Sequence, residues 1–187
     1  MLKKFTTKQL VFIALMAAFL FVINFGIGGW IIAITGIPSG SIFLTGITNL
    51  VAVTLVALTV RKFGSISLMY LVYSIIALPT PMAGGPPGYV WKILLNVIAA
   101  LGGEAVIYHF NYQKKGFIIG LPVLTVFMLA IYLAAFRTLG MPEYDKMLSA
   151  VYFMGAAFIV LGYLGMWLGF MVYNRFKDKS IVKQLSD

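Results

Sequence analysis

Lys92, Asn96 and Glu104 interrupt an apolar stretch between residues 89 and 110. On a helix turning about 100° per residue, Tyr89, Lys92, Asn96 and Glu104 share one arc of roughly 120°. A charged group inside a hydrocarbon layer must face protein or water, so such an arc is a candidate site. Lys92 and Asn96 offer hydrogen-bond donors to a ligand, and Glu104 is the one deep acid. Lys92 also fits an interfacial lysine that snorkels outward. Glu104 also fits a protonated or helix-bonded structural residue. The two lie about 18 Å apart along a straight helix and cannot pair directly.

Aromatic residues gather near the expected outer ends of the apolar runs: Trp30, Tyr89, Trp91, Tyr144 and Tyr152. They suit an interfacial belt or a stack over a flat heterocyclic ligand. Asn49 and Asn24 are further polar candidates, and His109 reads as a polar cap. The chain contains no G-x-x-x-x-G-K-[ST], no H-E-x-x-H and no G-x-S-x-G. ATP hydrolysis by this chain and intramembrane enzyme chemistry therefore have no motif to rest on. With no cysteine there is no thiol nucleophile and no disulfide framework. No metal and no cofactor is expected.

The elements that would position these residues are membrane helices. Of the 187 residues, 61% are hydrophobic and 10% charged, against about 25% charged in a soluble domain. No charge falls between Lys8 and Arg61. The apolar runs are continuous, not alternating, which points to helices and not a barrel. Six spans are expected in one all-α membrane domain over 1–187, at about 7–25, 41–60, 65–78, 89–110, 117–136 and 147–173. The first resembles a signal peptide's basic and apolar regions, but it is long and lacks an A-x-A-type site. It is read as a retained helix. The glycine-rich Gly26 to Trp30 stretch and the breaker Pro38-Ser39-Gly40 predict a connection after span 1. The run from Pro79 to Gly88 predicts a second break.

Positive charge sets the topology. Lys3, Lys4 and Lys8 precede span 1, and Arg61 and Lys62 follow span 2. Lys114 and Lys115 follow span 4, and Arg175, Lys177, Lys179 and Lys183 follow span 6. These are 11 of the 14 basic residues, and six spans put all of them on one side. The positive-inside rule makes that side, with both termini, cytoplasmic. The net charge of +9 is thus a topology signal of a cell-membrane protein in the lipid bilayer, with no nucleic-acid partner expected.

Ala14 and Ala18 are four residues apart on span 1 with Ala17 beside them. Small residues at this spacing admit a close helix, from this chain or from another. Gly116/Gly120 and Gly165/Gly169 share the spacing and favour packing within the chain.

The opening Phe5-Thr6-Thr7-Lys8-Gln9-Leu10, running into Ile13-Ala14-Leu15-Met16-Ala17-Ala18, resembles the start of a substrate-binding S component of an energy-coupling factor (ECF) vitamin transporter. That resemblance implies six spans and cytoplasmic termini. It also implies that Ala14 and Ala18 dock on a transmembrane coupling subunit, which works with two cytoplasmic ATPases. Arg61-Lys62-Phe63-Gly64 and Gly102-Gly103-Glu104-Ala105-Val106 are similar to the branch for hydroxymethylpyrimidine and related thiamin precursors. The implied site lies in the outer half, with residues 26–40 as a lid.

The expected function is capture of a vitamin-like small molecule for ATP-driven import. Expected ligand contacts are Trp30, Asn49, Tyr89, Trp91, Lys92, Asn96 and Glu104, with Glu104 more structural than contacting. Two alternatives stay open. One is a small secondary transporter or channel acting alone, with Glu104 as its only deep acid. The other is a membrane assembly protein without a substrate.

Overall fold

The computed structural model describes residues 4–35, 38–80, 87–138, 140, 143–149 and 151–186. Among these the chain is helical, with no strand. The helices are α1 (Thr7–Thr35), α2 (Pro38–Val60), α3 (Ser65–Ile76), α4 (Trp91–His109), α5 (Lys114–Thr138), α6 (Glu143–Ser149), α7 (Val151–Phe176) and α8 (Ser180–Ser186). Four stretches, Thr7–Trp30, Trp91–His109, Lys114–Thr138 and Val151–Phe176, are long and apolar enough to cross a membrane. Thr45–Val60 and Ser65–Ile76 are apolar but shorter. At 1.5 Å per residue α3 is about 18 Å long, less than the ~30 Å hydrocarbon layer.

Six helices close a ring. In order around it they are α1, α2, α7, α5, α4 and α3, and α3 returns to α1. Two crossings depend on glycine. A β-carbon on Gly165 would collide with Leu50 of α2, and one on Gly169 would sit 2.6 Å from Thr54 Cβ. A β-carbon on Gly120 would sit 2.5 Å from Ile107 Cγ1, and one on Gly103 would meet Leu124. α2 and α7, and α4 and α5, can therefore touch backbone to side chain, as packing in a bilayer favours. Gly116 likewise abuts Phe110 and Ile107. The 116/120 and 165/169 pairs thus serve packing within the chain.

One end of the bundle carries the basic clusters. Thr6 and Gln9 form a capping box at the start of α1. The Gln9 amide N–H donates to Thr6 Oγ1 at 3.3 Å, and the Thr6 amide N–H donates to Gln9 Oε1 at 3.0 Å. Gln9 Nε2 also donates to the Leu185 carbonyl of α8 at 2.7 Å, and Lys62 Nζ donates to Gln9 Oε1 at 2.9 Å. Lys8 Nζ donates to Gln184 Oε1 at 2.9 Å. Phe63 packs edge-on against Tyr108, which meets Tyr112 beyond α4. The start of α1, the α2–α3 turn, the α4–α5 turn and the C-terminal helix therefore lie together.

The expected connection over residues 26–40 is corrected. α1 runs on through Gly26, Gly28 and Gly29 to Thr35, and α2 already begins at Pro38; residues 36 and 37 lie outside the described residues. Glycine costs a helix up to about 1 kcal/mol per residue in water. In an apolar layer every backbone group needs an internal partner, and the helix supplies it. Pro38 occupies a first-turn position, where its missing N–H costs little. Residues 26–35 and 38–40 therefore form no loop lid. The last long helix begins at Val151, after the separate α6. Of the break from Pro79 to Gly88, residues 81–86 lie outside the described residues.

Candidate functional site

The polar arc on α4 faces α3. Lys92 and Glu104 are fully buried, and Asn96 is 2% exposed. Lys92 Nζ donates to the carbonyls of Ala77 at 2.9 Å and Thr80 at 2.8 Å. Ala77 is the C-cap of α3, so a cation sits where the helix leaves carbonyls unpaired and its dipole is negative.

Glu104 does the converse at the other end. The N-cap of α3 is Gly64, which has no side chain to cap with. Glu104 Oε1 accepts from the Ile66 amide at 2.9 Å and from Ser65 Oγ at 3.2 Å. Its Oε2 accepts from the Ser67 amide at 3.1 Å and from Ser67 Oγ at 2.6 Å. Ile66 and Ser67 carry the orphan amides that an N-cap side chain normally takes. Four donors around one carboxylate is the arrangement that holds a buried anion.

Between these two ends lies a third polar group. Asn96 Nδ2 donates to Ser74 Oγ at 3.0 Å and to the Lys92 carbonyl at 2.8 Å. Asn96 Oδ1 accepts from Tyr132 Oη at 2.7 Å. One residue before Ser74, Tyr73 Oη accepts from Asn24 Nδ2 at 3.1 Å, and Asn24 Oδ1 accepts from Thr48 Oγ1 at 3.1 Å. Tyr70 sets its ring edge-on to Tyr73, with centroids 6.3 Å apart. Five of the six ring helices thus send a polar side chain to one level: Asn24 from α1, Thr48 from α2, Tyr73 and Ser74 from α3, Asn96 from α4 and Tyr132 from α5. Tyr132 lies about 27 Å from the start of α5, so this level is toward the end away from the basic clusters.

The remaining candidates are dispersed. Asn49 Nδ2 donates to the Thr45 carbonyl of its own helix at 2.6 Å. Trp30 is 74% exposed and Trp91 is 61% exposed; neither covers the buried cluster. Tyr89 precedes α4 and is half-buried. Ala14 and Ala18 are half-buried beside exposed Val11, Leu15 and Val22, whereas Ala17 is fully buried.

Tyr70, Tyr73, Ser74, Thr48 and Tyr132 were not anticipated. Taken alone each reads as an ordinary polar residue of an apolar helix, and only the paired spacing of Tyr73-Ser74 hints at two faces. Among the described residues one buried side-chain polar atom, Tyr112 Oη, has no hydrogen-bond partner. Tyr112 lies beyond the end of α4, where burial first, and then the Glu104 charge, push its phenol above the ordinary range.

No group of three or more His, Asp or Glu residues able to hold a metal occurs among the described residues. The arrangement offers amide and hydroxyl donors and acceptors beside tyrosine rings, with its one nearby cation already engaged by α3. Comparison with family models, with curated proteins and with solved structures gives no match.

Proposed function

We propose that this chain is the substrate-capture membrane subunit of an ATP-driven importer of the ECF type. In this reading six helices span the plasma membrane, the basic end and both termini are cytoplasmic, and α3 crosses as a short helix completed by the segments that flank it. The observation that carries the reading is the polar and tyrosine-rich level built by five helices toward the end of the bundle away from the basic clusters. Polar groups inside a membrane protein are costly, and those that do not cap a helix are candidates for a substrate site.

The ligand is a small neutral heterocycle, such as a hydroxymethylpyrimidine-like vitamin precursor. Its ring lies against the Tyr73 and Tyr132 rings, and its polar edge exchanges hydrogen bonds with Asn96 and Asn24. Release into the cell follows docking of the half-buried Ala14/Ala18 face on a membrane coupling subunit energised by two ATPases. Glu104 argues against the stand-alone proton-coupled alternative, because its four donors hold the carboxylate in place at the far end of α3.

Native mass spectrometry of the purified chain tests the reading. A heterocycle of vitamin size should stay bound and should be lost in Asn96→Ala. The coexpressed chain should also purify with a coupling subunit and two ATPases. A chain that retains no small molecule from cell extract and purifies alone would refute it.

A further inference from the structure

A recess lies at the basic end of the bundle, remote from the Asn96 level. It is lined by Lys114 at the start of α5 and by Met166, Trp167, Phe170, Met171 and Asn174 along α7, and encloses about 320 Å³. On a helix of 3.6 residues per turn, positions 166, 167, 170 and 171 make one apolar stripe. Asn174 continues that stripe one turn further, beside the Lys114 ammonium. The lining therefore grades along the helix axis from apolar to polar to cationic.

The surroundings share its sign. Lys115, Arg175, Lys177 and Lys179 flank the polar end in sequence, and Asp178 is the one acid among them. Among the described residues no carboxylate pairs with Lys114. Trp167 is 61% exposed, so its indole is accessible from the surroundings of α7.

We propose that this groove seats one anionic phospholipid of the leaflet at the basic end. An acyl chain lies along Met166, Trp167, Phe170 and Met171. The phosphate accepts from Lys114 Nζ and Asn174 Nδ2. Charge complementarity selects the occupant: a zwitterionic lipid offers the same tails but brings a cation to a surface already crowded with cations. A free anion would leave the apolar stripe without a partner.

The test uses Trp167 as the only tryptophan, in the full chain carrying Trp30→Phe and Trp91→Phe. The protein is placed in phosphatidylcholine vesicles with a small fixed fraction of chain-brominated lipid, either phosphatidylglycerol or phosphatidylcholine. Brominated phosphatidylglycerol should quench Trp167 more strongly at equal fraction. Lys114→Gln should reduce that preference about fivefold, whereas Lys177→Gln should leave most of it. Equal quenching by the two lipids overturns the proposal. So does a preference unchanged by Lys114→Gln, which would mean diffuse attraction to the basic end, or one abolished by soluble glycerol phosphate, which would mean an anion site without a tail. Native mass spectrometry of the unsubstituted chain and of Lys114→Gln, released from mixed micelles, is the check independent of the tryptophan variants. A phosphatidylglycerol adduct should persist on the first and be lost from the second; adducts equal on both overturn it.

Discussion

Lys92 and Glu104, twelve residues apart on α4, hold opposite ends of the neighbouring helix α3: the ammonium takes the carbonyls of Ala77 and Thr80, and the carboxylate takes the amides of Ile66 and Ser67. The two helices are antiparallel, and the clamp matches a 12-residue helix to about 18 Å of α4. Each charge lies at the end of α3 where the dipole has the opposite sign. A short helix whose termini leave amides and carbonyls unpaired is thereby completed from the neighbouring helix.

The clamp predicts a stability defect with little change in ligand affinity. Glu104→Gln presents an amide N–H₂ to donors that need an acceptor, and Lys92→Met leaves buried carbonyls unpaired. Each should cost about 1–3 kcal/mol, toward the upper end for the charge-assisted bonds. Thermal unfolding in detergent should show both variants clearly destabilised. A Glu104→Gln protein as stable as the parent would mean that the carboxylate does not cap α3.

The cluster at Asn96 predicts the opposite pattern. Asn96→Ala removes contacts to α3 and α5 together with the proposed ligand edge. Affinity should fall roughly tenfold or more, at about 1.4 kcal/mol per decade, in a protein that still folds. Tyr132→Phe should weaken binding less, because the ring stays. Calorimetric titration with the ligand identified by mass spectrometry decides this, and unchanged affinity in both variants would move the site elsewhere.

Neighbouring alanines on α1 should behave differently. Ala17 is fully buried while Ala14 and Ala18 are half-buried. Ala17→Leu overpacks the interior and should cost about 1–3 kcal/mol. Ala14→Leu or Ala18→Leu should leave folding and ligand binding intact but abolish uptake, because a bulky side chain keeps a partner helix away. Normal transport by either variant in a reconstituted complex would remove this face from consideration.

Glycines divide the same way. A β-carbon at Gly26 or Gly29 meets nothing within 4 Å. Alanine at either should be neutral or stabilise by about 0.4–1 kcal/mol, as at a compatible helical position. Gly103→Ala and Gly120→Ala should destabilise, since α4 and α5 must separate to admit a methyl group. If Gly26→Ala or Gly29→Ala blocks uptake while binding and stability stay normal, the C-terminal part of α1 must bend in transport.

Topology has its own check. A cysteine at Ser180, in a chain that otherwise has none, should resist an impermeant thiol reagent in intact cells and react once the membrane is opened. Labelling in intact cells would reverse the orientation.

The sequence by itself determined the helical membrane class, because continuous apolar runs and end-placed charges follow from the cost of putting polar groups in lipid. The arc of Lys92, Asn96 and Glu104 was also legible, because helical periodicity alone puts those residues on one side of α4. What that arc faces was not. The partners of Glu104 lie 37 to 39 residues earlier in the chain, and they are backbone amides and serines with no charge to mark them. Nor did local propensity foresee α1 running through its glycines, since that propensity reflects competition with water. Tertiary structure alone decided that Tyr73 and Ser74 would turn to different neighbours, and that five helices would bring six polar side chains to the same level. Such convergence depends on which helices are adjacent in the ring, and the contacts of α1 with α3 and of α2 with α7 join helices that are not neighbours in the chain; close packing at Gly165 and Gly169 admits the second of them.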